Sequence, residues 1–128
     1  AALTIGTAVA LASGKPLIYP RKEAKGYGSG QMVEGVFSPG DQAVVIEDLV
    51  TSGGSVLQAI ETLEAAGLAV RDVVVLIDRQ QGGPHNLAAA GYRLHAALTM
   101  SEIVETLRQA GRISAEQATV VKDYLAAA

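Results

Sequence analysis

Val44-Val45-Ile46-Glu47-Asp48-Leu49-Val50-Thr51-Ser52-Gly53-Gly54-Ser55 is the stretch that decides how this chain folds. Residues 43–49 are a near-continuous apolar run, as expected of a strand covered on both faces of a parallel sheet. Beyond the small-residue loop, residues 55–66 place Val56, Ile60 and Leu63 on one helical face, and Gly67 closes the helix. Residues 70–77 are a second buried apolar run. Strand, helix and strand with short joints make a βαβ unit, whose crossover is expected to be right-handed.

Working outward, residues 3–13 read as a buried helix stopped by Gly14, and residues 15–19 as a short strand with Pro16 near its start. Residues 20–31 gather Arg21, Lys22 and Lys25 among glycines and turn formers, which is loop composition. Residues 33–37 form a strand, and Ser38-Pro39-Gly40-Asp41 a turn with proline at its second position. Downstream come a turn over 80–84, a short helix over 86–90 and a strand over 92–98. Thr99 with Glu102, and Ser114 with Gln117, have the spacing of capping boxes and open two helices. No repeat or internal boundary interrupts the chain, so residues 1–128 read as one α/β layer structure.

Composition narrows the function classes. The 128 residues are 49% hydrophobic and 18% charged, and they contain no cysteine. That excludes a disulfide framework and thiolate metal sites. A net charge of −3 argues against nucleic acid as a partner. No apolar run approaches the roughly 20 residues needed to span a bilayer, and no signal peptide is visible. A cytoplasmic domain is the expectation.

The loop after the first strand concentrates the chemistry. Open α/β sheets bind ligands at the carboxyl ends of their strands. A helix N-terminus there favours an anion, Thr51, Ser52 and Ser55 add hydroxyl donors, and Gly53 and Gly54 allow close backbone approach to a phosphate. Glu47 and Asp48 would repel that phosphate. They suit vicinal sugar hydroxyls, or a Mg²⁺ carried by the ligand. A phosphate at one end and a diol at the other describe a ribose 5-phosphate. The plainer alternative is a strand-to-helix joint with solvated acids and a Ser/Gly helix cap. A Walker-type phosphate loop is excluded, because Gly14-Lys15 is followed by Pro16, and no Gly-x-Gly-x-x-Gly joins a strand to a helix.

The twelve-residue run resembles the phosphoribosyl-pyrophosphate (PRPP) signature of type I phosphoribosyltransferases. Arg21-Lys22-Glu23-Ala24-Lys25-Gly26-Tyr27-Gly28 resembles the catalytic loop of orotate phosphoribosyltransferases, and Ile77-Asp78-Arg79-Gln80-Gln81-Gly82-Gly83 their segment after the following strand. Tyr92-Arg93-Leu94-His95 and the last two helices continue the likeness, closest to the form fused to orotidylate decarboxylase. The resemblance implies a mostly parallel sheet flanked by helices. It also implies transfer of the phosphoribosyl group from PRPP to orotate, with Mg²⁺. By position in the motifs, Glu47 and Asp48 hold the ribose hydroxyls, with Asp48 counted as catalytic. Ser52, Gly53, Gly54 and Ser55 cradle the 5′-phosphate, and Thr51 and Arg79 meet orotate. Arg21, Lys22 and catalytic Lys25 face the pyrophosphate. The family's dimer implies that residues 21–31, with Lys25 and Tyr27, act across the interface; Tyr27 stands where many members have histidine.

Arg79 could instead pair with Asp78, His85 and His95 read as surface or structural residues, and Tyr19 and Tyr92 as packing residues with a polar tip. The family fold has an N-terminal hood and a first strand with a pyrophosphate loop, neither of which is recognisable here. Ala1 opens directly in an apolar stretch, so the expectation is a partial family domain. Two other readings stay open: a non-catalytic PRPP- or nucleotide-binding regulator, and an inactive fragment.

Overall fold

The computed structural model describes residues 2–21 and 32–127. In chain order the elements are α1 (Ala2–Ser13), β1 (Tyr19–Pro20), β2 (Val33–Glu34), β3 (Gln42–Val50), α2 (Gly54–Ala65), β4 (Ala69–Asp78), α3 (Gly83–Ala89), β5 (Arg93–Thr99), α4 (Met100–Gln109) and α5 (Ala115–Ala126). Strands β3, β4 and β5 form a parallel sheet in that order, with Val45 beside Val73 and Val73 beside Leu94. The βαβ unit read from the apolar runs is therefore β3-α2-β4, and the fold is the expected parallel sheet flanked by helices.

The expected face of α2 is the one that packs. Val56, Ile60 and Leu63 are buried against Val45, Val73 and Val75 of the sheet, with Leu68, Val70 and Leu87 completing the core. Each such side chain contributes about 1.5–3 kcal/mol by leaving water. This core fixes β3 against α2, and so fixes the loop between them.

Four expectations need correction. Helix α1 is not buried: Gly6 is its one buried described residue, and Leu11 is 81% exposed. A helix apolar on every side carries no pattern to say which side packs. It rests on the sheet through β3, and Gly6 permits a close approach, with Leu17 Cδ1 3.3 Å from where a Cβ would sit. The sheet is also not covered throughout, since Val44, Leu49, Leu76 and Leu98 stay substantially exposed.

The strands expected over 15–19 and 33–37 shrink to a two-residue antiparallel ribbon, Tyr19 opposite Glu34 and Pro20 opposite Val33. Gly35 ends the ribbon at φ +115°. A Cβ there would lie 2.7 Å from Ile18 Cγ2 and 2.8 Å from the Leu17 carbonyl, so the chain can cross itself at that point only through glycine. Helix α3 starts three residues earlier than expected, because Pro84 belongs to its first turn, where proline costs no hydrogen bond.

The turn at 38–41 is of type II: Asp41 N–H donates to the Ser38 carbonyl at 3.0 Å, and Gly40 has φ +89°. Both capping boxes form. Thr99 accepts from Glu102 N–H, Glu102 accepts from Thr99 N–H at 2.7 Å, and Ser114 and Gln117 repeat the pattern. Thr99→Ala is expected to lower stability by about 1 kcal/mol. The check is a lower urea midpoint with an unchanged slope; an unchanged midpoint would contradict it. Among the described residues no helix is long and apolar enough to cross a membrane.

Candidate active site

Strand β3 carries the acidic pair toward its carboxyl end. Asp48 N–H donates to Glu47 Oε1 at 3.1 Å, and Leu49 N–H donates to Asp48 Oδ1 at 2.9 Å. Burial pushes the Glu47 carboxyl up, whereas the hydrogen bond from the Glu47 side chain holds Asp48 down. The two acids thus take different roles: Glu47 is the partner that keeps a proton longer, and Asp48 is the anion.

The loop that follows supplies no side-chain cap. The residue before α2 is Gly53, left-handed at φ +89°, and no side chain caps the helix. Thr51, Ser52 and Ser55 lie within two residues of that end, yet their hydroxyls make no hydrogen bond among the described residues. Helices α4 and α5 in the same chain are closed by complete boxes. Gly53 is thus the cap residue, through its backbone alone, and the serine hydroxyls of the plainer reading take no part in it. Backbone N–H groups, a positive dipole end and three hydroxyls are left together, which suits an anion.

Helix α3 holds this loop from behind. A Cβ on Gly83 would lie 2.7 Å from both the Thr51 carbonyl oxygen and Val50 Cγ2. Asn86 Nδ2 donates to the Ser52 carbonyl at 2.9 Å. Gly53 faces the fully buried Leu87, whose Cγ would be 3.3 Å from an added Cβ. Sequence reasoning did not find Gly83, Asn86 or Leu87 as supports. The only available signal was the Gly82-Gly83-Pro84 cluster, which also describes an ordinary turn.

The segment after β4 comes to the same edge of the sheet. Arg79 N–H donates to the Val50 carbonyl at 3.0 Å, one residue before the loop. The Arg79 side chain is half-buried and makes no hydrogen bond or ion pair among the described residues. It does not pair with Asp78, which is buried and accepts from Gln80 N–H at 2.8 Å. Arg21 pairs with the β1–β2 ribbon, its Nε 3.0 Å from Glu34 Oε1. Lys22, Lys25 and Tyr27 lie outside the described residues.

His85, His95 and Tyr92 take the structural or surface roles expected of them, whereas Tyr19, expected to pack, is exposed on β1. His95 Nε2 lies 2.7 Å from Asp72 Oδ1, beside the Arg93–Asp72 ion pair, and these two contacts hold the Asp72 carboxyl below its usual range. His85 is exposed on α3. Tyr92 packs against the core, and its hydroxyl is 3.3 Å from Glu64. A groove of about 790 Å³ lies at the other end of α2, lined by Met32, Val36, Phe37, Pro39, Thr62 and Ala66. Among the described residues its lining offers no charged group, so the strand-end loop is the better candidate for chemistry.

Among the described residues no three His, Asp or Glu side chains converge on a cation site. Glu47 and Asp48 offer oxygen donors from one strand end. This fits an ion that keeps its water and phosphate ligands.

No family model matches the chain. A bifunctional enzyme PyrF/PyrE of Nostoc sp. is 48% identical over 115 residues, covering 90% of this chain and 24% of that protein. The orotate phosphoribosyltransferase of Cenarchaeum symbiosum is 43% identical over 111 residues, covering 87% of this chain and 56% of that enzyme. The structure of Leishmania donovani UMP synthase matches 98% of this chain and 27% of its own with a TM-score of 0.90 at 36% identity. The chain thus spans about half the length of the stand-alone relative and about a quarter of the longer ones. Proteins named orotate phosphoribosyltransferase or UMP synthase are thus similar to this chain over most of its length, in sequence and in fold.

Proposed function

We propose that the protein containing this chain transfers the 5-phosphoribosyl group of PRPP to orotate, giving orotidine 5′-phosphate and pyrophosphate in de novo pyrimidine synthesis in the cytoplasm. The observation that carries this reading is the N-terminus of α2, capped by no side chain, in the loop that follows the Glu47–Asp48 pair. One end of that arrangement suits a phosphate and the other a ribose diol.

Each residue then has a task. The loop amides and the Ser52 and Ser55 hydroxyls bind the 5′-phosphate and hold the sugar in place. Ionised Asp48, with Glu47, accepts hydrogen bonds from the ribose hydroxyls and offsets positive charge as the anomeric carbon–oxygen bond breaks. Arg79, together with Thr51, is the group left to orient the orotate anion, so no separate strong base is needed to activate it. When bound with the diphosphate, Mg²⁺ supplies charge neutralisation at the leaving group. Lys25 and Lys22 supply protein cations to that group, and Arg21 joins them on exchanging Glu34 for the diphosphate. In this reading residues 21–31 act across a homodimer interface, with Lys25 and Tyr27 contributed to the partner's site.

The test follows orotate absorbance with PRPP and Mg²⁺, on this chain and on a longer version carrying the family's remaining length. Turnover in the longer protein is the expected result; PRPP binding without turnover in either would favour a regulator, and neither binding nor turnover an inactive fragment. Lys25→Ala is expected to lower turnover at least 100-fold while ribose 5-phosphate affinity changes less than threefold. Equal losses in both would contradict its place at the leaving group.

A further inference from the structure

Gln80 is the one non-glycine among the described residues with positive φ, at +58°. A glutamine in the left-handed region is uncommon and is retained only where its surroundings fix it. The fixing contacts come from two directions. Its N–H donates to Oδ1 of buried Asp78 at 2.8 Å. Its Oε1 accepts from Ser101 N–H at 2.8 Å and from Ser101 Oγ at 2.7 Å. Ser101 is the second residue of α4, so its N–H is one of those a helix cannot satisfy internally. The Thr99–Glu102 box does not use it, and a side chain from a turn 21 residues away does.

The result is a short clamp between the end of β4 and the start of α4. Arg79 sits inside it, between Asp78 and Gln80. Its own N–H is held by the Val50 carbonyl at the mouth of the phosphate loop. With both neighbours and its amide tied, the backbone from which the Arg79 side chain leaves has one orientation. The half-buried side chain makes no hydrogen bond or ion pair among the described residues, so its direction is set by packing and by the backbone it leaves from.

We propose that Gln80 is a positioning residue for base recognition: by clamping the strand-end turn to α4 it aims Arg79 at the ligand's base. This rests on the reading that Arg79 meets the orotate base. It adds a determinant that touches no substrate and works through two hydrogen bonds to Ser101.

The experiment compares Gln80→Gly and Gln80→Glu with the unsubstituted protein of full family length. Glycine keeps the left-handed backbone and removes the clamp, so the fold is preserved. Glutamate keeps both acceptor bonds to Ser101. Calorimetric affinities are measured for ribose 5-phosphate, which needs only the loop and acids, and for orotidine 5′-phosphate, which also needs the base contact. Gln80→Gly is expected to weaken orotidine 5′-phosphate at least tenfold, with ribose 5-phosphate within twofold. Gln80→Glu is expected to restore the nucleotide to within threefold. An unsubstituted protein that prefers the nucleotide, with that preference unchanged in Gln80→Gly, overturns the positioning role and leaves the base reading standing. Parallel loss of both ligands, or failure of glutamate to rescue, also overturns it. An unsubstituted protein that binds both ligands equally sinks the base reading and the proposal together.

Discussion

Gly83→Ala weakens ribose 5-phosphate binding at least tenfold and lowers the melting temperature by on the order of 5–15 °C. The cause is a single methyl group. It would stand 2.7 Å from the Thr51 carbonyl oxygen and from Val50 Cγ2. One neighbour is backbone and the other the stiff side chain of a residue buried at the end of β3, so neither can swing aside. Either α3 lifts from the sheet or the loop moves. The loop carries less packing, and its displacement carries Thr51 and Ser52 with it. Overpacking of this kind costs about 1–3 kcal/mol, enough for the thermal shift. Gly91→Ala separates loop displacement from backbone strain. Gly91 has φ +92° and nothing within 4 Å of an added Cβ, so alanine there strains the backbone without touching the loop. It should lower the melting temperature and leave ribose 5-phosphate affinity within twofold. If Gly83→Ala binds as tightly as the unsubstituted protein, α3 does not set the loop.

That contact also marks where the sequence stops being legible. The β3-α2-β4 unit was readable because its information is local: two apolar runs, a period-3.6 face with Val56, Ile60 and Leu63, and a glycine at each end of the helix. Both capping boxes were readable for the same reason, each lying within four residues. The candidate loop could be read as an anion site or as a cap, because Thr51, Ser52 and Ser55 could serve either. Only the backbone, with Gly53 left-handed and no hydroxyl turned to the helix, separates the two. What could not be read is what one segment does to another across the fold. Gly83 matters because it has no side chain where Thr51 passes, and a sequence shows that only as one more turn glycine. Gln80 reads as a solvent-facing turn residue until its partner on α4 is seen. The exposure of α1 was misjudged for a related reason, since composition gives its apolarity and only packing decides which side of it is covered.

Asp48→Asn lowers turnover on the order of 100-fold, and Glu47→Gln removes a pH step that Asp48→Asn leaves in place. The asymmetry follows from how the pair shares charge. Asp48 is held down by the hydrogen bond from Glu47, so it is the resident anion, and each ribose hydroxyl it accepts is worth about 1.5–3 kcal/mol as a bond to a charged group. Asparagine keeps the shape, loses the charge that faces the oxocarbenium-like sugar, and retains one weaker acceptor. Glu47 is pushed up from its ordinary 4.5 by burial first, then by its neighbour. Below the raised value it is protonated and a poorer acceptor; as pH climbs through that value it loses the proton and diol affinity increases to a plateau. Folding stability shows less of this, because the signs oppose. Raised Glu47 favours the folded state at low pH and forfeits that contribution as pH rises through its folded value. Lowered Asp48 contributes above its ordinary 3.8 and loses its contribution as pH falls. Ligand affinity is therefore the measurement to make. Ribose 5-phosphate affinity, followed upward from below the ordinary glutamate value of 4.5, should increase with one step from Glu47 and one from the ligand's own phosphate near about 6. Glu47→Gln should show only the phosphate step, with affinity at neutral pH reduced about tenfold for one charged acceptor. If its profile matches that of the unsubstituted protein, Glu47 does not bear on the diol, and the acids are a solvated strand end after all.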